Sequence, residues 1–289
     1  MNKLGLKSRG DGARVAYGNY MGSSHYIFRV LAISLVSLLL GWAAPARALV
    51  LDWDGVSWTP GSLNNSYNLN GDAFNDITVD ITSQNQGVFT NDPTSGVITP
   101  AINQTMTGGL VQPQNSLLIA ANLHTNSNLT VHLSFMGGTS GNLPGASNVS
   151  FTLFDIDVTT NADIISNIYG VAPDGSLVAA TITNVGSAVM LAGTGLSLTL
   201  TGNGAVANNS SDGNATISFG SALITDLYFT FGNTAGAPRF QDIALGDISF
   251  TPVPEMNPAV TASVSSFIAV GLTVFMQRRA KRRRPEITQ

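Results

Sequence analysis

Apolar residues in this chain recur at every second position in short runs, and nearly every run stops at Gly, Asn, Asp, Ser or Pro. A period of two places successive side chains on opposite faces of a strand, so each run predicts a strand with one face toward a core. The clearest runs cover residues 76–82, 129–135, 149–154, 195–200 and 227–231, all rich in Val, Ile, Leu, Phe and Thr. Between runs stand Asp54-Gly55, Asn70-Gly71, Pro173-Asp174-Gly175 and Asp212-Gly213, residue types that tolerate the positive φ of tight turns. No window before the C-terminal segment has the 3.6-residue period of a long amphipathic helix, and no repeat of fixed length points to a propeller or solenoid. The expected fold is all-β: an antiparallel β-sandwich, jelly-roll-like, of roughly ten to fourteen strands over residues 49–251.

The chain contains no cysteine, so packing, with or without a bound metal, has to hold such a domain together. Its charge is also unevenly placed. Six of thirteen basic residues precede Leu49 and six follow Gln277, leaving Arg239 alone between them. Against it stand fourteen Asp between Leu49 and Pro254, a formal −13 that the whole-chain value of −4 conceals. A surface of that sign repels phosphate backbones, which excludes nucleic acid as a partner.

Both ends read as addresses. Arg29 precedes an apolar stretch from Val30 to Leu40, and Ala46-Arg47-Ala48 follows as a small-x-small cleavage site, so residues 1–48 are expected to be a signal peptide cut after Ala48. The leader before that stretch is long enough that Met21 is an alternative start to Met1, with the same mature product. At the other end, residues 259–276 form an apolar segment of about 27 Å as a helix, enough for a single transmembrane span. Arg278, Arg279, Lys281, Arg282, Arg283 and Arg284 follow it and would stay on the cytoplasmic side.

Val253-Pro254-Glu255, then Pro258, the apolar span and the Arg-rich tail together resemble the PEP-CTERM sorting signal of Gram-negative bacteria that export polysaccharide. The resemblance covers residues 252–289, and the second proline comes two residues later than in the commonest form. It implies a membrane-embedded exosortase that reads the Pro-Glu element, removes the tail and delivers the protein to the cell surface. Physical chemistry agrees with those roles: Pro254 and Pro258 keep the backbone around Glu255 extended, and a span containing Thr261, Ser263, Ser265, Ser266 and Thr273 is a modest anchor. An ordinary single-pass anchor is the plainer alternative.

Within the domain the best metal candidates are Asp155 and Asp157. On a continuous strand Val149, Phe151, Leu153, Asp155 and Asp157 share a face, so both carboxylates would meet at the core's rim, where Ca²⁺, water or backbone N–H groups must compensate them. Alternatively Phe154 and Ile156 are the buried pair and both carboxylates point outward. Asp52 with Asp54, and Asp72 with Asp76, form similar clusters. His124 and His132 have no metal-motif companions, and no nucleophile elbow or phosphate loop occurs, so no catalytic residue is assigned and the domain is read as non-enzymatic. Trp53, Trp58, Tyr67, Tyr169, Tyr228 and Phe240 are the aromatics available to stack on sugar rings, though core packing accounts for most of them equally well.

The expected function is therefore that of an exported cell-surface or matrix protein associated with exopolysaccharide or biofilm. Its partners would be the Sec translocon, signal peptidase, an exosortase, the inner membrane in transit, and extracellular polysaccharide. The alternatives are a carbohydrate-binding module or adhesin and, behind it, a secreted polysaccharide-degrading enzyme.

Overall fold

The computed structural model describes residues 47–84, 87–111, 114–136 and 145–253. The chain parts between Pro45 and Ala46, and every described residue belongs to the second unit. The expected signal peptide apart from Arg47 and Ala48, the residues from Pro254 through Pro258, the expected span and the basic tail lie outside the described residues. Among the described residues no helix is long and apolar enough to cross a membrane.

Among the described residues the alternating sequence produces two antiparallel sheets of eight strands each. The first runs β11 (Thr181–Val185), β14 (Ala215–Ser218), β8 (Ala146–Phe154), β16 (Arg239–Pro252), β6 (Ser116–Leu123) and β4 (Val88–Phe89), with β1 (Leu49–Leu51) on β16 and β5 (Ala101–Asn103) on β6. The second runs β12 (Val189–Ala192), β13 (Thr199–Gly202), β9 (Asp163–Val171), β15 (Asp226–Asn233), β7 (Asn128–Phe135), β3 (Ile77–Gln84) and β2 (Asn64–Tyr67), with β10 (Leu177–Ala179) on β9. The central order β14-β8-β16-β6 in one sheet is matched by β13-β9-β15-β7 in the other. Successive strands from β6 to β9, and again from β13 to β16, therefore cross between sheets, which is jelly-roll connectivity.

One core takes side chains from both sheets. Phe151 on β8 stacks on Phe229 of β15 with centroids 5.8 Å apart, and Phe135 on β7 meets Phe250 of β16 at 5.2 Å. On β7 every second residue is buried, as its sequence pattern requires. β6 departs from that pattern, with seven of its eight residues buried, because Met106 covers its outer side and packs with Leu118, Phe154 and Ala244 into a second cluster. A strand covered on both faces reads as a continuous apolar run, not an alternating one.

Three expectations need correction. Among the described residues the strands number sixteen, because pieces of two to four residues such as β1, β2 and β4 add to the long ones. Residues 195–200 are not one strand: Gly193 (φ 74°) and Gly195 (φ 59°) turn the chain left-handed, a 3₁₀ turn covers Gly195–Ser197, and β13 starts at Thr199. The closing strand runs to Pro252, one residue beyond the expected boundary at 251.

Candidate functional site

Asp155 and Asp157 do not continue β8. That strand ends at Phe154, and Asp155 adopts φ 64°, a left-handed conformation that Asp tolerates better than most side chains. The reversal breaks the alternation, so Leu153 and Ile156 both enter the main core while Phe154 fills the second cluster. Neither shared-face arrangement read from the sequence survives. Both carboxylates are nevertheless buried, with 7% and 4% exposure, at the end of the sandwich where β8 hands over to β9.

Backbone close to Asp157 shapes this end. Its N–H donates to Asp163 Oδ2 (3.2 Å), its carbonyl accepts from Asp163 N (3.0 Å), and its Oδ2 accepts from Val206 N (3.1 Å). Gly202 lies flush against it, since a Cβ there would stand 1.9 Å from the Asp157 carbonyl oxygen. Gly213 is similarly constrained, its absent Cβ falling 3.2 Å from Asp155 Cα while its carbonyl accepts from Ile156 N. At 202 the chain can pass this close only with glycine, while at 213 a side chain would press on Val206 and Asp155.

The structure adds two carboxylates that sequence reasoning missed, Asp163 and Asp242. Asp163 opens β9 at 1% exposure, and Asp242 lies on β16 opposite Ala120. Burial, then the charges of Asp157 and Asp242, pushes the Asp155 carboxyl up to about 7. Asp242 also rises to about 7, through burial and then Asp157 and Asp92. Asp163 lies well above the ordinary carboxylate range, chiefly from burial, with the Asp157 N–H pulling the other way. Burial raises Asp157 too, against the Val206 N–H that favours its charged form. Among the described residues the one ion pair is between His132 and Asp226, so no cation answers this group of acids. Nor do three His, Cys, Asp or Glu side chains converge there closely enough to hold a metal without other ligands.

A second surface lies on the outer face of the β2–β13 sheet. Register places Asp80, His132, Tyr228, Tyr169 and Ala179 in one row across β3, β7, β15, β9 and β10. The His132 ring lies parallel to Tyr228 (3°, centroids 4.3 Å), and Tyr228 stacks on Tyr169 at 5.2 Å. His132 Nε2 bonds Asp226 Oδ1 at 2.7 Å, which locates the imidazole at the head of the stack. Burial, then Asp226 and Tyr169, raises the Tyr228 hydroxyl, which stays a neutral donor. Stacked rings cover one another's faces, so the row offers hydroxyl-bearing edges and, beside the small Ala179, one side of Tyr169. Parallel rows of Thr78, Ser134 and Asp226, and of Thr82, Thr130, Thr230 and Ser166, make the rest of this face rich in hydroxyls.

The remaining sequence candidates separate. Trp53, Trp58 and Tyr67 are core residues, packed edge to face at 6.3 and 6.1 Å around Trp53, whose indole N–H donates to Gly246 O. They are not available to a sugar. His124 caps its own turn by accepting from Asn126 N. Asp52 and Asp54 serve turns, Asp52 accepting from Asp54 N and Asp54 from Asn115 N; Asp76 accepts from Leu69 and Asn70 N–H and bonds the Asn70 amide. An open cleft of about 570 Å³ between residues 104–110 and Asn208–Asn209 is lined by amides, hydroxyls and Leu110, with no titratable group.

No protein-family model matches this chain, and no curated protein does. Among solved structures, the chain is similar to a family 11 carbohydrate-binding module from Clostridium thermocellum in complex with a β-1,3-1,4-mixed-linked tetrasaccharide, at 12% identity and a TM-score of 0.29, covering 74% of this chain and 100% of that one. It is similar also to the family 11 module of the cellulosomal cellulase Lic26A-Cel5E of the same organism, at 10% identity and a TM-score of 0.29, covering 74% and 99%.

Proposed function

We propose that this chain is an exported cell-surface or matrix protein of a Gram-negative bacterium, carried through the Sec translocon, trimmed by signal peptidase and freed from its tail by an exosortase. One observation supports the reading: every strand among the described residues lies between the two expected cuts. β1 begins at Leu49, the residue after Ala48, and pairs with β16 through Leu49–Phe250, while β16 ends at Pro252 and Val253 still donates to Gly145 O. Cleavage after Ala48 and again beyond Val253 would leave every strand of the described residues in place. In this reading the inner membrane holds the precursor only in transit, and the mature domain binds without turnover. Replacing Glu255 with Ala tests it: export should persist while tail-bearing precursor accumulates in membranes, and an undiminished yield of processed surface protein would refute the role of Glu255.

A second reading, favoured by the row of His132, Tyr228 and Tyr169, is that the domain holds extracellular polysaccharide. Fourteen Asp make an anionic glycan an unfavourable partner, which leaves neutral chains whose hydroxyls meet the Ser, Thr and Tyr hydroxyls of this face. Retention on insoluble neutral polysaccharides should fall on the order of tenfold in Tyr169→Ala. Equal retention would remove this face from consideration, and release of reducing sugar would make the protein an enzyme.

A further inference from the structure

We propose that the end of the sandwich where Asp155, Asp157, Asp163 and Asp242 gather binds one hard divalent cation of the Ca²⁺ class. The inference is independent of how the chain is sorted. It starts from oxygens without partners: Asp155 Oδ1 and Asp163 Oδ1 are buried and accept no hydrogen bond, on residues only 7% and 1% exposed. Asp163 is held against this segment by the bond from Asp157 N to its other oxygen, so the unpartnered atom belongs to a carboxyl fixed at the site. A third orphan, Asn214 Oδ1, is an uncharged acceptor one residue past Gly213, which abuts Asp155; the Asn214 amide group spends its donor on Gly108 O.

All three orphans are acceptors, and a buried acceptor without a donor is destabilising. No Lys or Arg pairs with these acids among the described residues, whereas Asp92, the other carboxylate coupled to Asp242, only adds to the negative charge. A cation satisfies such atoms collectively. Because no three carboxylates converge tightly, the ligand set has to be mixed, with amide and backbone oxygens beside carboxylates. Ca²⁺ accepts six to eight oxygens in flexible geometry, while Mg²⁺ demands an octahedron and retains water, and Zn²⁺ prefers nitrogen and sulfur, which this end does not offer.

Radiolabelled Ca²⁺ binding and thermal unfolding of the full chain in mild detergent, stripped with chelator and assayed near pH 8, test the proposal. The expected result is one ion per chain, with an upward shift of the melting temperature. Asp163→Asn and Asp155→Asn should each abolish binding and the shift, yet melt above the stripped wild type, because the amide removes a buried repelling charge. That reversal separates loss of a ligand from loss of the fold. Asp174→Asn, in an exposed turn, should leave binding unchanged. No ion retained at millimolar Ca²⁺ would overturn the proposal, as would undiminished binding in both variants, which would place the ion elsewhere.

Discussion

Raising the pH in the presence of chelator should weaken this domain. Asp155 and Asp242 move from an ordinary 3.8 to about 7 on folding, each because burial disfavours the carboxylate before any neighbour contributes. A carboxyl whose folded value lies above its unfolded one binds its proton more tightly in the folded chain. Its contribution to stability is therefore complete below about pH 3.8 and is lost as the pH rises through about 7. Between pH 5 and pH 8 one such group forfeits about two pH units of linkage, or about 2–3 kcal/mol. The two share Asp157 as a neighbour and their shifts are not independent, so the pair should lose about 3–5 kcal/mol. For a domain of this size that corresponds to a fall in melting temperature of roughly 5–15 °C. Asp174 shifts the opposite way, but its carboxyl titrates below this window and is fully exposed. Circular dichroism melts at half-unit pH steps measure the slope, and Asp155→Asn should flatten it. A melting temperature that is level or rises from pH 5 to pH 8 would refute the electrostatic account of this end.

Other expectations are simpler. Gly202→Ala drives a methyl to within 1.9 Å of the Asp157 carbonyl and should destabilise by about 2–3 kcal/mol through forced backbone movement, read as a lower denaturant midpoint at unchanged slope. Phe229→Ala empties a fully buried position stacked on Phe151 and should cost about 3–5 kcal/mol in the same assay. Reducing agents should leave both transitions untouched, since the chain has no cysteine.

The period of two in residues 129–135 already specified a strand with one buried face, because a strand that buries one side must alternate. Turn residues such as Asp174-Gly175, where Gly175 has φ 83°, marked hairpins for an equally local reason. The charge partition, the absence of cysteine and the expectation of sorting segments at the two ends come from the residues in order and need no fold. Of the acidic site only Asp155 and Asp157 were legible in that way, and their arrangement was not. Alternation carried past Phe154 gave the wrong face, because a single left-handed residue, Asp155, reverses the chain there, and glycine at 202 and 213 allows the close approach that buries both carboxylates. Asp242 lies 87 positions beyond Asp155 by residue number, and only jelly-roll pairing of β16 with β8 brings their strands together. His132, Tyr228 and Tyr169 are likewise a row only through cross-strand register. Local pattern decides which residues turn inward, since that depends on the spacing of near neighbours. Which polar residues meet one another depends on strand order, and that is decided when two sheets bury a single core.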